Sequence, residues 1–246
     1  MTQSDKHDAT ARTILINFVL DKSGSMQALR DATISGFNEF KNDQIAEDGE
    51  AFFTLTMFDT SFDTLCQAVP VREVPDLDYR SYAPDGMTAL YDAIGYTMRI
   101  ADDFVAAKKP DQVIFVVMTD GEENSSREFT RERIFQMIQD RQTNAGYEFI
   151  YLGANQDSYA AGAQMGVRDG RMLDYQHDAA GSKEAWQRAS NNVKAHRRHG
   201  KQASAQFFSA PMETLGAIPA NRWKNMGEPE KQYYLEMVEE KQESDD

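Results

Sequence analysis

The chain has 246 residues and a formal net charge of −14, from 40 acidic and 26 basic side chains. An acidic surface repels phosphate backbones and anionic lipid, which argues against nucleic-acid and membrane partners. The single cysteine, Cys66, excludes an intramolecular disulfide, and Met1 to Arg12 has no apolar run of the signal-peptide kind, so we expect a cytoplasmic protein.

Short apolar runs alternate with helical spacing in the first half of the chain. The pattern predicts a buried parallel strand over Thr13 to Leu20 and a second strand over Phe52 to Phe58. After a turn, Phe62 to Val69 is expected to pair as an antiparallel edge strand, and three prolines mark Pro70 to Pro84 as an irregular loop. The helix predicted between the first two strands has four residues on one face, which are Leu29, Thr33, Phe37 and Phe40.

The alternation continues beyond this loop. Val113 to Met118 is the most strongly apolar strand, and Phe149 to Leu152 is a further one. A helix that ends before Pro110 is predicted from Leu90, Ile94, Met98, Ala101 and Val105. Another helix, between the two strands, is predicted from Thr130, Ile134, Met137, Ile138 and Arg141.

The pattern is weaker after Gly153. It predicts a short helix over Asn155 to Gln164, a last edge strand over Met172 to Tyr175, and a helix over Ser182 to Arg198 that Ser182 caps. Four basic residues near the end of that helix are expected to be solvated, and they are Lys194, Arg197, Arg198 and Lys201. Glu228 to Asp246 holds eight acids against two lysines, which indicates either a solvated helix or a disordered acidic tail.

Strands that alternate with helices predict an α/β fold. We expect a doubly wound, mostly parallel open sheet with one antiparallel edge strand and helices on both faces. The predicted organisation is a flexible N-terminus at 1–11, the α/β domain at 12–190 with its core at 13–152, and a helical extension with an acidic tail at 191–246. Folds of this class bind ligands at the carboxyl ends of their strands.

Three polar segments fall at those strand ends. Asp21, Ser23 and Ser25 follow the first strand, Thr88 lies just ahead of a helix, and Asp120 follows the most apolar strand. Taken singly, the hydroxyl residues are ordinary helix-cap and turn residues, but together they offer only oxygen ligands to one centre. Such a set suits Mg²⁺, Mn²⁺ or Ca²⁺ and disfavours Zn²⁺.

The charge of this set predicts an incomplete coordination shell. Three of the five groups are neutral hydroxyls, so two carboxylates only just balance a divalent cation. Because Mg²⁺ prefers six oxygen ligands, a position remains for a carboxylate from another protein. Five further residues are candidates for the surrounding shell, and they are Gly24, Gly86, Asp92, Gly121 and Glu122.

These segments resemble, piece by piece, the von Willebrand factor A family and its metal-ion-dependent adhesion site. The family pattern is Asp-x-Ser-x-Ser, then a Thr, then an Asp, and the segments VLDKSGSM, GMTALYDAI and VVMTDGEEN look typical of bacterial and phage members. The resemblance implies that the two serines and the Thr touch the metal, that the aspartates bind it directly or through water, and that a partner's Glu or Asp completes the shell. The matching positions are Asp21, Ser23, Ser25, Thr88 and Asp120.

Other polar residues have simpler expected roles. Glu122 and Glu123 are expected in a solvated loop or paired with Arg127, with a place in the metal shell as the alternative, and Asp92 is expected at the surface or around the site. The histidines lack metal-ligand spacing and are expected at the surface, at positions His7, His177, His196 and His199.

The favoured function is a protein-binding module in which a divalent cation bridges to an acidic residue of a partner. A metal-assisted hydrolase is one alternative, but the sequence contains no phosphate-binding glycine loop, nucleophile elbow or evident general base. Self-assembly or autoinhibition is another, with carboxylates of the acidic tail as ligands for the same or a neighbouring chain, at Glu239, Glu240 and Glu243.

Overall fold

A computed structural model of the protein describes residues 12–154, 158–168 and 170–200. The strands are β1 (Thr13–Asp21), β2 (Glu50–Phe58), β3 (Phe62–Pro70), β4 (Gln112–Thr119), β5 (Glu148–Ala154) and β6 (Met172–Tyr175). The helices are α1 (Arg30–Ala46), α2 (Leu90–Lys108), α3 (Arg131–Asp140), α4 (Ser158–Gln164) and α5 (Ala179–His199). A 3₁₀ segment, Gly24–Leu29, precedes α1, and a π-helical turn, Arg141–Ala145, extends α3.

The strands form a single sheet in the order β3-β2-β1-β4-β5-β6. β1 lies parallel to both β2 and β4, and β5 lies parallel to both β4 and β6. β3 runs antiparallel to β2 at one edge. The predicted doubly wound, mostly parallel sheet with one antiparallel edge strand is therefore confirmed. Because β1 and β4 are neighbours, Asp21 and Asp120 come to the same edge of the sheet.

Alternate residues of β1 pack on opposite faces of the sheet. On one face Phe18 stacks on Trp186 of α5, with ring centroids 5.0 Å apart, and meets Phe37 of α1 edge-on. On the other face Leu15 and Val19 belong to an apolar cluster that includes residues of α2 and α3. Helices cover both faces of the buried central strands, so a ligand would reach the sheet at the carboxyl ends of its strands.

α1 and α5 approach each other closely because residue 36 has no side chain. A Cβ on Gly36 would lie 2.2 Å from Cδ1 of Trp186. Further along, the Arg197 guanidinium donates to three carbonyl oxygens, those of Gln44 (2.6 Å), Glu47 (3.3 Å) and Asp48 (3.1 Å). These contacts satisfy carbonyls at the end of α1 that lack partners within the helix.

The last described helix differs from the prediction in three respects. Asp178 is its N-cap and accepts from the Gly181 N–H (2.7 Å), so the cap predicted at Ser182 is wrong. Arg197 is buried by its contacts with α1, and His196 is 2% exposed, so neither occupies the predicted surface position. Contact with α1 explains the burial, because it turns one face of α5 into core.

Several predictions lie outside the described residues. They concern the N-terminus with His7, the start of the helix predicted at Asn155, Lys201 and the acidic tail. Within 12–154, 158–168 and 170–200, no helix is both long and apolar enough to cross a bilayer.

Candidate metal centre

The first strand ends in a buried carboxylate that organises the next loop. Asp21 Oδ1 accepts from the Ser23 N–H (2.7 Å), and its Oδ2 accepts from the Thr119 hydroxyl. Ser23 occupies a helix-cap position, yet its side chain makes no capping bond and its Oγ lies 3.1 Å from Oγ of Ser25. Ser25 in turn donates to Asp120 Oδ1 (2.6 Å). The two serine hydroxyls therefore point toward the end of β4 and not into the following helix.

The second loop brings the Thr88 hydroxyl to the same place. A Cβ on Gly121 would lie 3.4 Å from Thr88 Oγ1 and 4.0 Å from Ser25 Oγ, so both hydroxyls flank this glycine. Asn124 fixes the Thr88 backbone on both sides, because its Oδ1 accepts from the Thr88 N–H (2.9 Å) and its own N–H donates to the Thr88 carbonyl (3.0 Å).

Glycines let the first two loops touch. The Gly24 N–H donates to the carbonyl of Gly86 (3.1 Å). Gly86 has φ +75°, and a Cβ there would lie 2.5 Å from the Thr60 hydroxyl, so another residue would strain the loop and displace its neighbour. Tyr82 adds a further anchor by donating its hydroxyl to the Asp21 carbonyl (2.7 Å).

The five predicted ligands thus come from three loops to one edge of the sheet. Of the residues predicted around them, Gly24, Gly86 and Gly121 lie in these three loops. Asp92 lies elsewhere: its carboxylate accepts from the N–H groups of residues 127–129, so it ties α2 to the loop after β4. Glu122 is exposed at the edge of the site.

Glu123 has a structural role that the sequence pattern did not predict. Its Oε1 accepts from the N–H groups of Ser125 and Ser126, and its Oε2 accepts from the Tyr91 N–H (2.9 Å). Together with Asp92 it joins the loop after β4 to the start of α2. Asp92 and Glu123 thereby position Thr88 and Asp120 relative to each other, since Thr88 lies just before α2 and Asp120 lies at the start of the loop after β4.

A histidine also belongs to this site. His177, in the loop between β6 and α5, has its Nε2 2.7 Å from Asp120 Oδ2. The side chain of Asp120 is 1% exposed and that of His177 is 20% exposed. The surface role predicted for His177 is therefore wrong. It lies 57 residues beyond Asp120 in the chain, so no local spacing could have revealed the contact.

The electrostatics of the site favour a cation. Burial raises the pKa of Asp21 to about 6, and the charge of Asp120 adds to the rise, while hydrogen bonds from Thr119 and Ser23 oppose it. The adjacent Lys22 does not neutralise Asp21, because its ammonium pairs with Asp59 at 2.9 Å. Two buried carboxylates beside three hydroxyls fit a divalent cation, which would offset this unfavourable charge.

The hydroxyls are essential to that fit. Within the described ranges, no group of three or more His, Cys, Asp or Glu residues is arranged to hold a metal ion. A cation at this edge of the sheet would depend on Ser23, Ser25 and Thr88 as well as the carboxylates.

A cavity of about 390 Å³ adjoins the site. Gly121 forms part of its wall, together with Glu122, Tyr91 of α2 and Met165 beyond α4. Met87, next to Thr88, is 49% exposed. The edge of the sheet therefore combines a polar centre with an apolar side chain and a concave surface.

No protein-family model and no curated protein matches the sequence. Solved structures do match its fold, and one of them is a von Willebrand factor type A protein from Catenulispora acidiphila, with a TM-score of 0.56 and 16% identity over 75% of this chain and 43% of that chain. The described fold thus corresponds to less than half of that protein.

Two further matches cover more of the other chain. The von Willebrand factor domain of the type V pilus tip protein Mfa5 from Porphyromonas gingivalis matches with a TM-score of 0.56 and 12% identity over 75% of this chain and 96% of that chain. The manganese-loaded TRAP protein of Plasmodium vivax matches with a TM-score of 0.51 and 17% identity over 71% of this chain and 72% of that chain. With the order of its strands and helices, these matches show that the chain has the von Willebrand factor A fold.

Proposed function

We propose that the protein is a divalent-cation-dependent protein-binding module and not an enzyme. The observation that carries the proposal is the convergence of Ser23, Ser25 and Thr88 hydroxyls beside two buried carboxylates, Asp21 and Asp120. A bound Mg²⁺, Mn²⁺ or Ca²⁺ would supply positive charge and a coordination position for a carboxylate of the partner. The hydroxyls favour the binding of a partner's carboxylate, because neutral ligands do not reduce the positive charge of the cation.

Because of the overall charge of the chain, an acidic partner is expected to need the cation for binding. A chain of net charge −14 repels an acidic group on another protein. Asp21 and Asp120 would repel it most strongly at short range. A divalent cation between them and the partner would convert that repulsion into attraction, so we expect binding to depend steeply on the metal.

The surroundings of the site support a protein as partner. Exposed Met87 offers apolar contact area beside Thr88, and the cavity next to Gly121 could receive a neighbouring side chain. The manganese-loaded TRAP structure has the same fold, which supports a divalent ion as cofactor. No described observation favours the hydrolase alternative, and the residues of the proposed self-assembly lie outside the described ranges.

The test is binding to arrayed peptides that each present one central Glu or Asp, with matched Gln or Asn versions. We expect acidic peptides to bind in Mg²⁺ or Mn²⁺, and both EDTA and Ser25→Ala to remove the signal. Ser35→Ala is the matched control, because Ser35 is exposed on α1 and, among the described residues, its hydroxyl bonds only to carbonyls of its own helix. Binding that persists in EDTA and in Ser25→Ala would contradict the proposal.

A further inference from the structure

A fourth segment reaches the candidate metal centre. His177 precedes α5 and meets Asp120 Oδ2 at 2.7 Å, whereas all the predicted ligands come from loops after β1, before α2 and after β4. We infer that His177 is a positioning residue for Asp120 and thereby increases the affinity of the centre for a divalent cation, an inference that rests on the cation site proposed above.

The two oxygens of Asp120 have different partners. Oδ1 accepts from the Ser25 hydroxyl at 2.6 Å, and Oδ2 faces Nε2 of His177. A hydrogen bond from His177 to an ionised carboxylate requires a proton on Nε2, because the carboxylate only accepts. With a donor on each oxygen, the carboxylate cannot rotate about its Cβ–Cγ bond without losing both bonds. Each oxygen keeps lone-pair capacity for a cation or for a water bound to one.

The orientation of Asp120 matters because a cation site depends on preset ligands. Hydrogen-bonding partners behind the ligands of a metal site typically change its affinity by about 10–100-fold when they are removed. Without His177, Oδ2 of Asp120 would lose its donor, so rotation of the carboxylate away from its present orientation would cost only the Ser25 bond. The cost of restoring its orientation would then reduce metal affinity.

The backbone next to His177 forms a tight, hydrogen-bonded turn. The next residue, Asp178, caps α5 through its bond from the Gly181 N–H, and its own N–H donates to the Gln176 carbonyl at 2.8 Å. A Cβ on Gly181 would lie 2.4 Å from that same carbonyl oxygen, so the turn is closed too tightly for a side chain there. His177 therefore lies in a tight turn that the start of α5 stabilises.

The experiment measures Mn²⁺ binding to the full chain by the loss of the free Mn²⁺ signal in electron paramagnetic resonance. His177→Ala should weaken binding by roughly 10–100-fold. His177→Gln should retain an affinity within a few-fold of the unmodified protein, because its amide can still donate to Asp120. His199→Ala, at an exposed position in the last turn of α5, is the matched control and should leave the affinity unchanged.

The outcomes separate this inference from the proposed function. Mn²⁺ binding that His177→Ala does not weaken would overturn the role of His177 and leave the cation site intact. Equal losses in His177→Ala and His177→Gln would also overturn it, since a donor would then be irrelevant. Nitrogen modulation in the spin echo of bound Mn²⁺ that disappears in His177→Gln would identify a direct ligand and contradict a positioning role. An unmodified chain that binds no Mn²⁺ would overturn both proposals.

Discussion

Replacing Asp21 by Asn should stabilise the metal-free protein while abolishing metal binding. The pKa of Asp21 is raised from 3.8 to about 6, mainly by burial. An acid whose pKa rises on folding costs stability above its folded pKa, because the native state must hold a charge that the unfolded chain solvates. A shift of this size corresponds to about 3 kcal/mol at pH 7.

The neutral variant can keep the local hydrogen bonds. In Asp21→Asn the side-chain carbonyl can accept from the Ser23 N–H as the carboxylate does, and the amide NH₂ can donate to the Thr119 hydroxyl, which also lies 3.1 Å from the Gly121 carbonyl. We therefore expect urea unfolding in EDTA at pH 7 to give Asp21→Asn a gain of up to about 3 kcal/mol. Because folding raises the pKa of Asp21, the stability gained by the substitution shrinks as the pH falls. It is roughly half as large at pH 5 and vanishes below the pKa of Asp21 in the unfolded chain.

Added metal should reverse the order of stability. At a free concentration of about 1,000 times its Kd, Mn²⁺ should raise the free energy of unfolding of the unmodified protein by about 4 kcal/mol and leave Asp21→Asn unaffected, because ligand binding stabilises only a native state that binds it. If Asp21→Asn proves less stable than the unmodified protein in EDTA at pH 7, then the carboxylate is not the uncompensated buried charge described above.

Three other substitutions test the packing of the fold and the support of the metal site separately. Gly36→Ala should lower the free energy of unfolding by about 1–3 kcal/mol, because a methyl group would meet the Trp186 ring, and Mn²⁺ affinity should not change. Arg197→Leu should cost about 2–4 kcal/mol in urea unfolding, because the buried Gln44 carbonyl and the part-buried carbonyls of Glu47 and Asp48 lose their donor; an unchanged midpoint would refute this. Asn124→Ala should weaken Mn²⁺ binding, measured by calorimetry, by about tenfold through the freed Thr88 backbone, and an unchanged affinity would show that Thr88 needs no such support.

The sequence was informative where the signal is local and repeated. Apolar runs such as Val113 to Met118 have the length and composition of buried parallel strands, and the sheet confirms them. The three polar segments could be assigned to one edge because carboxyl ends of parallel strands share an edge. The start of α5 was harder: Asp178 and Ser182 are both good cap residues, and only the geometry of the turn selects Asp178.

What the sequence missed depends on contacts between distant segments. His177 reaches Asp120 only because β6 pairs beside β5 and the following turn closes over the site. His196 and Arg197 look like a solvated basic stretch until α1 packs against α5 and buries them. The link between Glu123 and α2 depends on one distant donor, the Tyr91 N–H, 32 residues away, whereas its bonds from Ser125 and Ser126 are local. Neither the composition of the sequence nor the spacing of its residues indicates these long-range contacts.

The most direct measurement is an anomalous difference map from crystals of the protein soaked in Mn²⁺. We predict a single strong peak at the carboxyl end of the sheet, within bonding distance of the Ser23, Ser25 and Thr88 hydroxyls. A map with no peak there at saturating Mn²⁺, with Thr88 and Ser25 still beside Gly121 and Ser23 still beside Ser25, would contradict the assignment of this site to a divalent cation.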